Sequence, residues 1–263
     1  MTLIRTALRF QVIETLNADP TIDGMVQGRI YDSRIGVFDH REPVPVIVVT
    51  TEETKGDAWD RQNGGIPFKT SCDLVIEIAM NVVAGPDDQQ VLGYVATDSE
   101  LEACLDLIEE RAIQALAAGE TAAAALLREH VVRRFGKLAS QRFATDQTGE
   151  KLAIHMLTLT VDLFDPPVDD IFDPPTGEFA ALPEPLRTLA PHFLPGLGPL
   201  ETCQLLASKL PAPAPPPRAS PLAGVDLIIA PQALDPAFPP DRAAALAAGR
   251  TIGFSANPRV PDA

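Results

Sequence analysis

Val44-Pro-Val-Ile-Val-Val-Thr-Thr51 and Ser71-Cys-Asp-Leu-Val-Ile-Glu-Ile-Ala-Met80 decide how this chain is read. Both runs are dense in Val, Ile and Thr, whose branched side chains suit a pleated, half-buried surface. In the second run Cys72, Leu74, Ile76, Ile78 and Met80 alternate onto one face, and Asp73 and Glu77 fall on the other. The stretch Val44–Met80 is therefore expected to be a long antiparallel hairpin with one buried face. A polar loop over Glu52–Thr70 is expected to join its strands. That loop carries Lys55-Gly56, the only Trp (Trp59) and Gln62-Asn63-Gly64-Gly65. Hairpin loops usually take about two to five residues, and long loops in compact domains are commonly functional or disordered.

Upstream, Ile4, Leu8, Val12 and Leu16 recur every four residues with Ala7 on the same stripe, which predicts a helix over Thr2–Asn17. Pro20 ends it, since the residue before proline avoids helical angles. A turn over Thr21–Gln27 and then Gly28 lead into a brief strand, Arg29–Ser33. Downstream, Ser99-Glu-Leu-Glu102 has capping-box spacing. The stripe Leu101, Cys104, Leu105, Ile108, Ala112, Ala115 and Leu116 predicts a helix that Gly119 stops. Thr121–Val132 reads as a second helix, Gly136–Gly149 as a connection or irregular strand, and Lys151–Phe164 as a long strand. The pattern is α+β: an antiparallel sheet with helices packed on one face.

Only five of the 26 prolines (Pro20, Pro43, Pro45, Pro67, Pro86) precede residue 166. Proline fixes φ and removes a donor, so the later density does not sustain a sheet or long helices. The boundary is expected near Asp165: an α+β domain over 1–165, then an extended Pro-rich C-terminal arm over 166–263 with short local elements. Within the arm, Phe164-Asp-Pro-Pro167 repeats as Phe172-Asp-Pro-Pro175, and Ala212-Pro-Ala-Pro-Pro-Pro217 suits polyproline II. Leu200–Leu210 is expected to be a short helix. Val225–Ala230 is expected to be a strand that adds to a neighbour's sheet, and Asp241–Gly249 a short helix. An apolar arm of this kind is expected to bind along another surface.

The formal charge of −15 repels phosphate and argues against specific nucleic-acid binding. Cys72, Cys104 and Cys203 are far apart and form no metal or redox motif, and Cys72 and Cys104 fall on apolar faces, where cysteine acts as a small hydrophobe. Met1–Phe10 lacks the apolar region of a signal peptide. No apolar run reaches the roughly 20 residues that span a bilayer. Folding in a cytoplasm is expected.

Catalytic chemistry is hard to assemble. His40, His130, His155 and His192 are scattered without ligand spacing, and phosphate-loop, dinucleotide and nucleophile-elbow motifs are missing. His155 is read as a partly buried side chain rather than a base. Asp87-Asp88 and Asp169-Asp170 read as solvated loop charges rather than a cation site, and Glu109-Glu110 as the outer face of the capped helix. No catalytic, cofactor or metal residue is assigned. Trp59 is either an interface anchor or folds back on its own hairpin. With Arg61, Asn63 and Phe68 in the same loop, and Phe172 and Phe238 in the arm, it completes the candidate interface.

The order of elements resembles a known family. An amphipathic helix leads through Ala18-Asp-Pro20 to Gly28-Arg-Ile-Tyr-Asp32. Pro43-Val-Pro-Val-Ile-Val-Val49, a hairpin, the Leu101–Leu116 stripe and a late strand follow. Over about residues 1–165 this resembles the tail terminator (tail completion) proteins of long-tailed bacteriophages and related gene-transfer particles. The resemblance implies a small α+β protein without enzymatic activity that forms a hexameric ring. The ring would cap the tail tube and join it to the head connector, in a virion assembled in a bacterial cytoplasm. Its acidic lumen would let DNA pass without adhering. The Pro-rich arm departs from the family pattern, and is expected to wrap adjacent subunits or the outside of the neck. Three other readings are another neck protein, a cytoplasmic adaptor whose Pro-rich tail recruits a partner, and a small enzyme using acidic residues with His130 or His155.

Overall fold

The computed structural model describes residues 2–33, 44–58, 68–82, 98–145, 151–164, 175–196, 198–211, 226–229 and 250–253. It divides into two compact units, one of Met1–Asp170 with Pro174–Ala214, the other of Ile171–Asp173 with Pro215–Ala263.

Helix α1 spans Thr2–Asn17 as the spacing predicts. It is more than a one-sided helix. Besides Leu8, Val12 and Leu16, the residues Phe10, Gln11, Ile13 and Thr15 are buried, because α1 is covered on several sides. A short helix, α2 (Pro20–Val26), replaces the expected turn. The Asp19 carboxylate caps it, accepting from the amides of Thr21 and Ile22, and Pro20 occupies the first turn, where no amide is missed.

Strands β1 (Ile30–Asp32), β2 (Val46–Ala58), β3 (Phe68–Val82), β4 (Val132–Thr145) and β5 (Lys151–Leu163) form one sheet in the order β1-β2-β3-β5-β4. The predicted hairpin is present: β2 and β3 pair antiparallel, with Ile47 opposite Ile78 and Val49 opposite Ile76. Two expectations need correction. Residues Glu52–Ala58 and Phe68–Thr70 are strand, not loop, because they continue the β2–β3 ladder beyond the core. The sheet is also mixed, since β1 pairs parallel with β2. The polar Gly136–Gly149 segment is largely strand too, with register shifts between Val132 and Arg134 and between Phe135 and Leu138. These irregularities explain why its alternation is hard to read.

Helix α3 (Asp98–Ala118) and α1 cover one face of the sheet. Leu101, Leu105, Ile108, Ala112 and Leu116 meet Leu74, Ile76, Ile78, Leu157 and Val161 in a continuous core. The capping box is not formed as expected. Ser99 lies inside the helix, and Glu102 turns to Arg142 and His155 instead. Gly119 ends α3 as predicted. A Cβ there would collide with the backbone carbonyl oxygen of Ala115, which favours glycine at this position. The Arg128 guanidinium donates to the carbonyl of Gly119 at 2.6 Å and satisfies the helix end. Helix α4 (Ala122–Leu126) is capped by the Thr121 hydroxyl and runs through a wide turn, Leu127–Val131, into β4.

The boundary expected near Asp165 does not divide the units. Leu182, Leu186, Leu189, Ala190, Phe193 and Cys203 belong to the same core as α1 and the sheet. Phe193 meets Phe10 edge to face, with ring centroids 6.0 Å apart. They lie on or beside α5 (Leu186–Leu189) and α6 (Pro199–Lys209), the latter matching the predicted helix. Gly198 opens α6 at φ 92°, and the Glu201 carboxylate accepts from the amides of Gly196 and Gly198. In the second unit, β6 (Asp226–Ile229) pairs antiparallel with β7 (Arg250–Gly253) of the same chain. The strand expected over Val225–Ala230 is thus formed, with β7 as its partner on one edge. The helix expected over 241–249 lies outside the described residues.

Candidate functional site

The sequence-based interface residues are only partly placed. Trp59, Arg61, Asn63, Phe172 and Phe238 lie outside the described residues, as do the acidic pairs at 87–88 and 169–170. Phe68 is placed: it opens β3 opposite Ala58, half-buried at the distal end of the hairpin.

The described residues offer two long sheet edges. On one side, the Ile47 amide donates to the Arg29 carbonyl and the Ser33 amide to the Val49 carbonyl, both at 3.0 Å. β1 then ends at Asp32, so beyond it this edge of β2 has no strand partner among the described residues. The Thr51–Ala58 stretch carries Glu52, Glu53 and Asp57 against one base, Lys55. All four are exposed, and Lys55 pairs with Glu53 at 3.0 Å. The other edge is the whole of β4. It carries Arg133, Arg134, Lys137 and Arg142 with no acid, in a chain whose net charge is −15. Leu138 and Phe143 are exposed on it, at 50% and 48%. An uncovered strand edge presents unmade backbone hydrogen bonds and is a template for another strand.

Under the β4 edge lies an ionic cluster. His155 on β5 is 5% exposed. Its Nδ1 lies 3.1 Å from Glu109 Oε2, and its Nε2 lies 3.4 Å from Glu102 Oε2. Asp106 stands 3.8 Å from Nδ1. Arg142 grips Glu102 through two of its nitrogens, and the Ser140 hydroxyl donates to Glu109 at 2.9 Å. Both ring nitrogens face carboxylates, so the imidazole has no free lone pair aimed at a substrate, and Ser140 donates to Glu109 rather than to the ring. The arrangement clamps α3 to β4 and β5. The reading of His155 as a buried side chain agrees with this geometry. Glu109, expected on the outer face of its helix, instead points at the sheet, while Glu110 stays outside and bonds Gln114.

The Arg142 guanidinium, hydrogen-bonded to Glu102, holds that carboxyl below the usual carboxylate range, with His155 acting the same way. A folded-state value below that of the unfolded chain stabilises the fold above the ordinary value of 4.5 and ceases to do so as pH falls through the lowered one. Glu102→Gln is therefore expected to lower Tm at pH 7, with the gap to the native chain closing as the melt is repeated toward pH 3. A gap that stays constant with pH would show that the charge of Glu102 contributes nothing.

No protein-family model matches the sequence, and no curated protein matches it. Among solved structures, the chain is similar to one in the virion of a native gene transfer agent particle. The two are 14% identical, the match covers 57% of this chain and 91% of the other, and the TM-score is 0.32. At that score the likeness carries no argument about function, which rests on the geometry.

Two grooves are formed among the described residues of the first unit. One, of about 590 Å³, is bordered by Asp19, Arg111, Gln114 and Thr121; the other, of about 300 Å³, by Gln11, Glu14, His192 and Phe193. Burial pushes the Glu14 carboxyl up, and its Oε1 has no hydrogen-bond partner. His155 lines neither groove. Burial also raises the thiols of Cys72, Cys104 and Cys203, the last to about 11; Cys72 and Cys203 sit in the core as small hydrophobes, and Cys104 packs against it. No described helix is long and apolar enough to cross a membrane.

β4 is legible in the sequence only as the connection or irregular strand expected over Gly136–Gly149, and the grouping of the cluster around His155 is not legible there at all. Glu102, Asp106 and Glu109 recur at four and three residues, which places them along one side of the apolar stripe. Their partners Ser140, Arg142 and His155 come together only through the β4–β5 register, where Arg142 stands opposite His155.

Proposed function

We propose that this chain is a structural subunit of a phage-like particle. Its role is a ring at the head–tail joint that caps the tail tube, meets the head connector and gives DNA an unadhesive acidic passage. The observation that carries this reading is a sheet whose two long edges, without a strand partner among the described residues, carry opposite charge at its two sides. Edges of opposite sign attract one another, which favours copies meeting side by side, head to tail. The ionic cluster supports a structural rather than a catalytic role, since its groups are turned on one another. The resemblance in element order supplies the location in the particle and the expectation of six copies.

The test is the solution mass by light scattering, with negative-stain images of the protein alone and mixed with purified tail tubes. A closed ring of about six chains, or rings at tube ends, is the expected result. A protein that stays monomeric and ignores tubes would overturn the reading.

A further inference from the structure

Sheet order and strand direction fix what each edge can meet. β2 and β5 both run antiparallel to β3, and β4 runs antiparallel to β5, so β4 is opposite in direction to β2. A copy related by rotation about an axis along the strands would bring its β4 beside the free edge of β2 in the antiparallel sense. That is the ladder geometry of most of this sheet. The lengths also suit: Thr51–Ala58 offers about 25 Å of free edge, and β4 is longer still.

Charge then selects among the possible pairings. Arg133 and Lys137 fall where the β4 register shifts, and neither has an ion-pair partner among the described residues. Glu52 and Glu53 fall where the β2 register shifts. Charged, bulged edges ordinarily keep strands from pairing. Here the two edges differ in sign. Two β4 edges repel each other, as do two distal β2 edges, while β4 against β2 attracts. Self-complementary twofold dimers through one edge are disfavoured, and a head-to-tail contact, which can close a ring, is favoured.

We propose that the Thr51–Ala58 edge of one copy receives β4 of the next as an added antiparallel strand. Glu52 and Glu53 would oppose the Arg133 and Lys137 side, and Leu138 would be covered as the strands join. The proposal rests on the ring reading above but requires no particular number of copies.

The experiment mixes isotopically heavy and light full-length protein, in free solution and on purified tail tubes, and applies a zero-length carbodiimide. Heavy–light cross-links from Lys137 to Glu52 or Glu53 are expected. Two double variants accompany it, Arg133→Glu with Lys137→Glu, and Glu52→Lys with Glu53→Lys. All four positions are exposed, so melting should stay native-like and report intact folding. Each variant alone is expected to fall to the mass of one 28.1 kDa chain. An equal mixture of the two is expected to reassemble, because each then presents the edge the other lacks. Absence of heavy–light cross-links, native assembly by either variant alone, or failure of the mixture to reassemble would overturn the proposal. If native rings form but ignore these substitutions, the joint lies elsewhere and the ring reading stands. If the native protein neither cross-links nor caps tubes, both fall.

Discussion

A chain ended after Asp165 is expected to lose its cooperative thermal transition, whereas one ended after Pro211 keeps it. The shorter cut removes Leu182, Leu186, Leu189 and Phe193, all buried against the same core as α1. Burying a side chain of this size stabilises by about 1.5–3 kcal/mol, so four of them represent roughly 6–12 kcal/mol as an upper estimate. Ordering the segment offsets part of that. The remainder still rivals the roughly 5–15 kcal/mol net stability of a typical domain. The cut also strips Phe10 of its edge-to-face partner Phe193. Circular dichroism melts of the two truncated chains decide the matter. A chain ending at Asp165 that melts like the full-length protein would show that residues 175–211 merely rest on the core. The same comparison bears on assembly: particles weakened by the shorter cut would reflect a damaged body, and only the cut after Pro211 reports on residues 212–263.

Asp19→Ala is expected to lower stability by about 2–4 kcal/mol. Asp19 is 5% exposed and has two duties. One carboxylate oxygen accepts from the amides of Thr21 and Ile22 and starts α2; the other pairs with Arg111 of α3. Losing an N-cap costs about 1 kcal/mol. Removing one partner of a buried pair costs about 3–5 kcal/mol, less here because the Arg111 side chain remains 35% exposed and water screens it. Asp19→Asn keeps an acceptor for the amides and removes the charge, so it should cost about half as much. Urea midpoints for the two variants separate the contributions. Equal losses would mean the cap contributes nothing, and an unchanged midpoint for alanine would remove both.

Much of the body was legible because its signals are local and periodic. The four-residue repeat of Ile4, Leu8, Val12 and Leu16 marks α1. The alternation from Cys72 to Met80 marks β3, and the Leu101–Leu116 stripe with Gly119 marks α3. Each pattern records one face meeting apolar surroundings. β4 was obscure because it is an edge strand with two register shifts and little burial past Val132, so no alternation is imposed on it. The hairpin's length was obscure for a related reason. Glu52–Ala58 is polar, and only its pairing with Phe68–Cys72 keeps it in strand.

By itself, then, the sequence determined the α+β class, the positions of the main helices and of the central strands, and the acidic balance. In each case the physical cause lies within a few residues or in a simple sum of charges. Tertiary structure alone decided three other matters. It set the parallel placement of β1, and it brought residues 175–211 into the core despite their prolines, because a few Leu and Phe side chains find apolar cover there. It also placed acidic β2 and basic β4 toward opposite sides of the sheet. Strand order depends on contacts between residues far apart in the chain, and no local pattern encodes which edge is left open or what charge it meets.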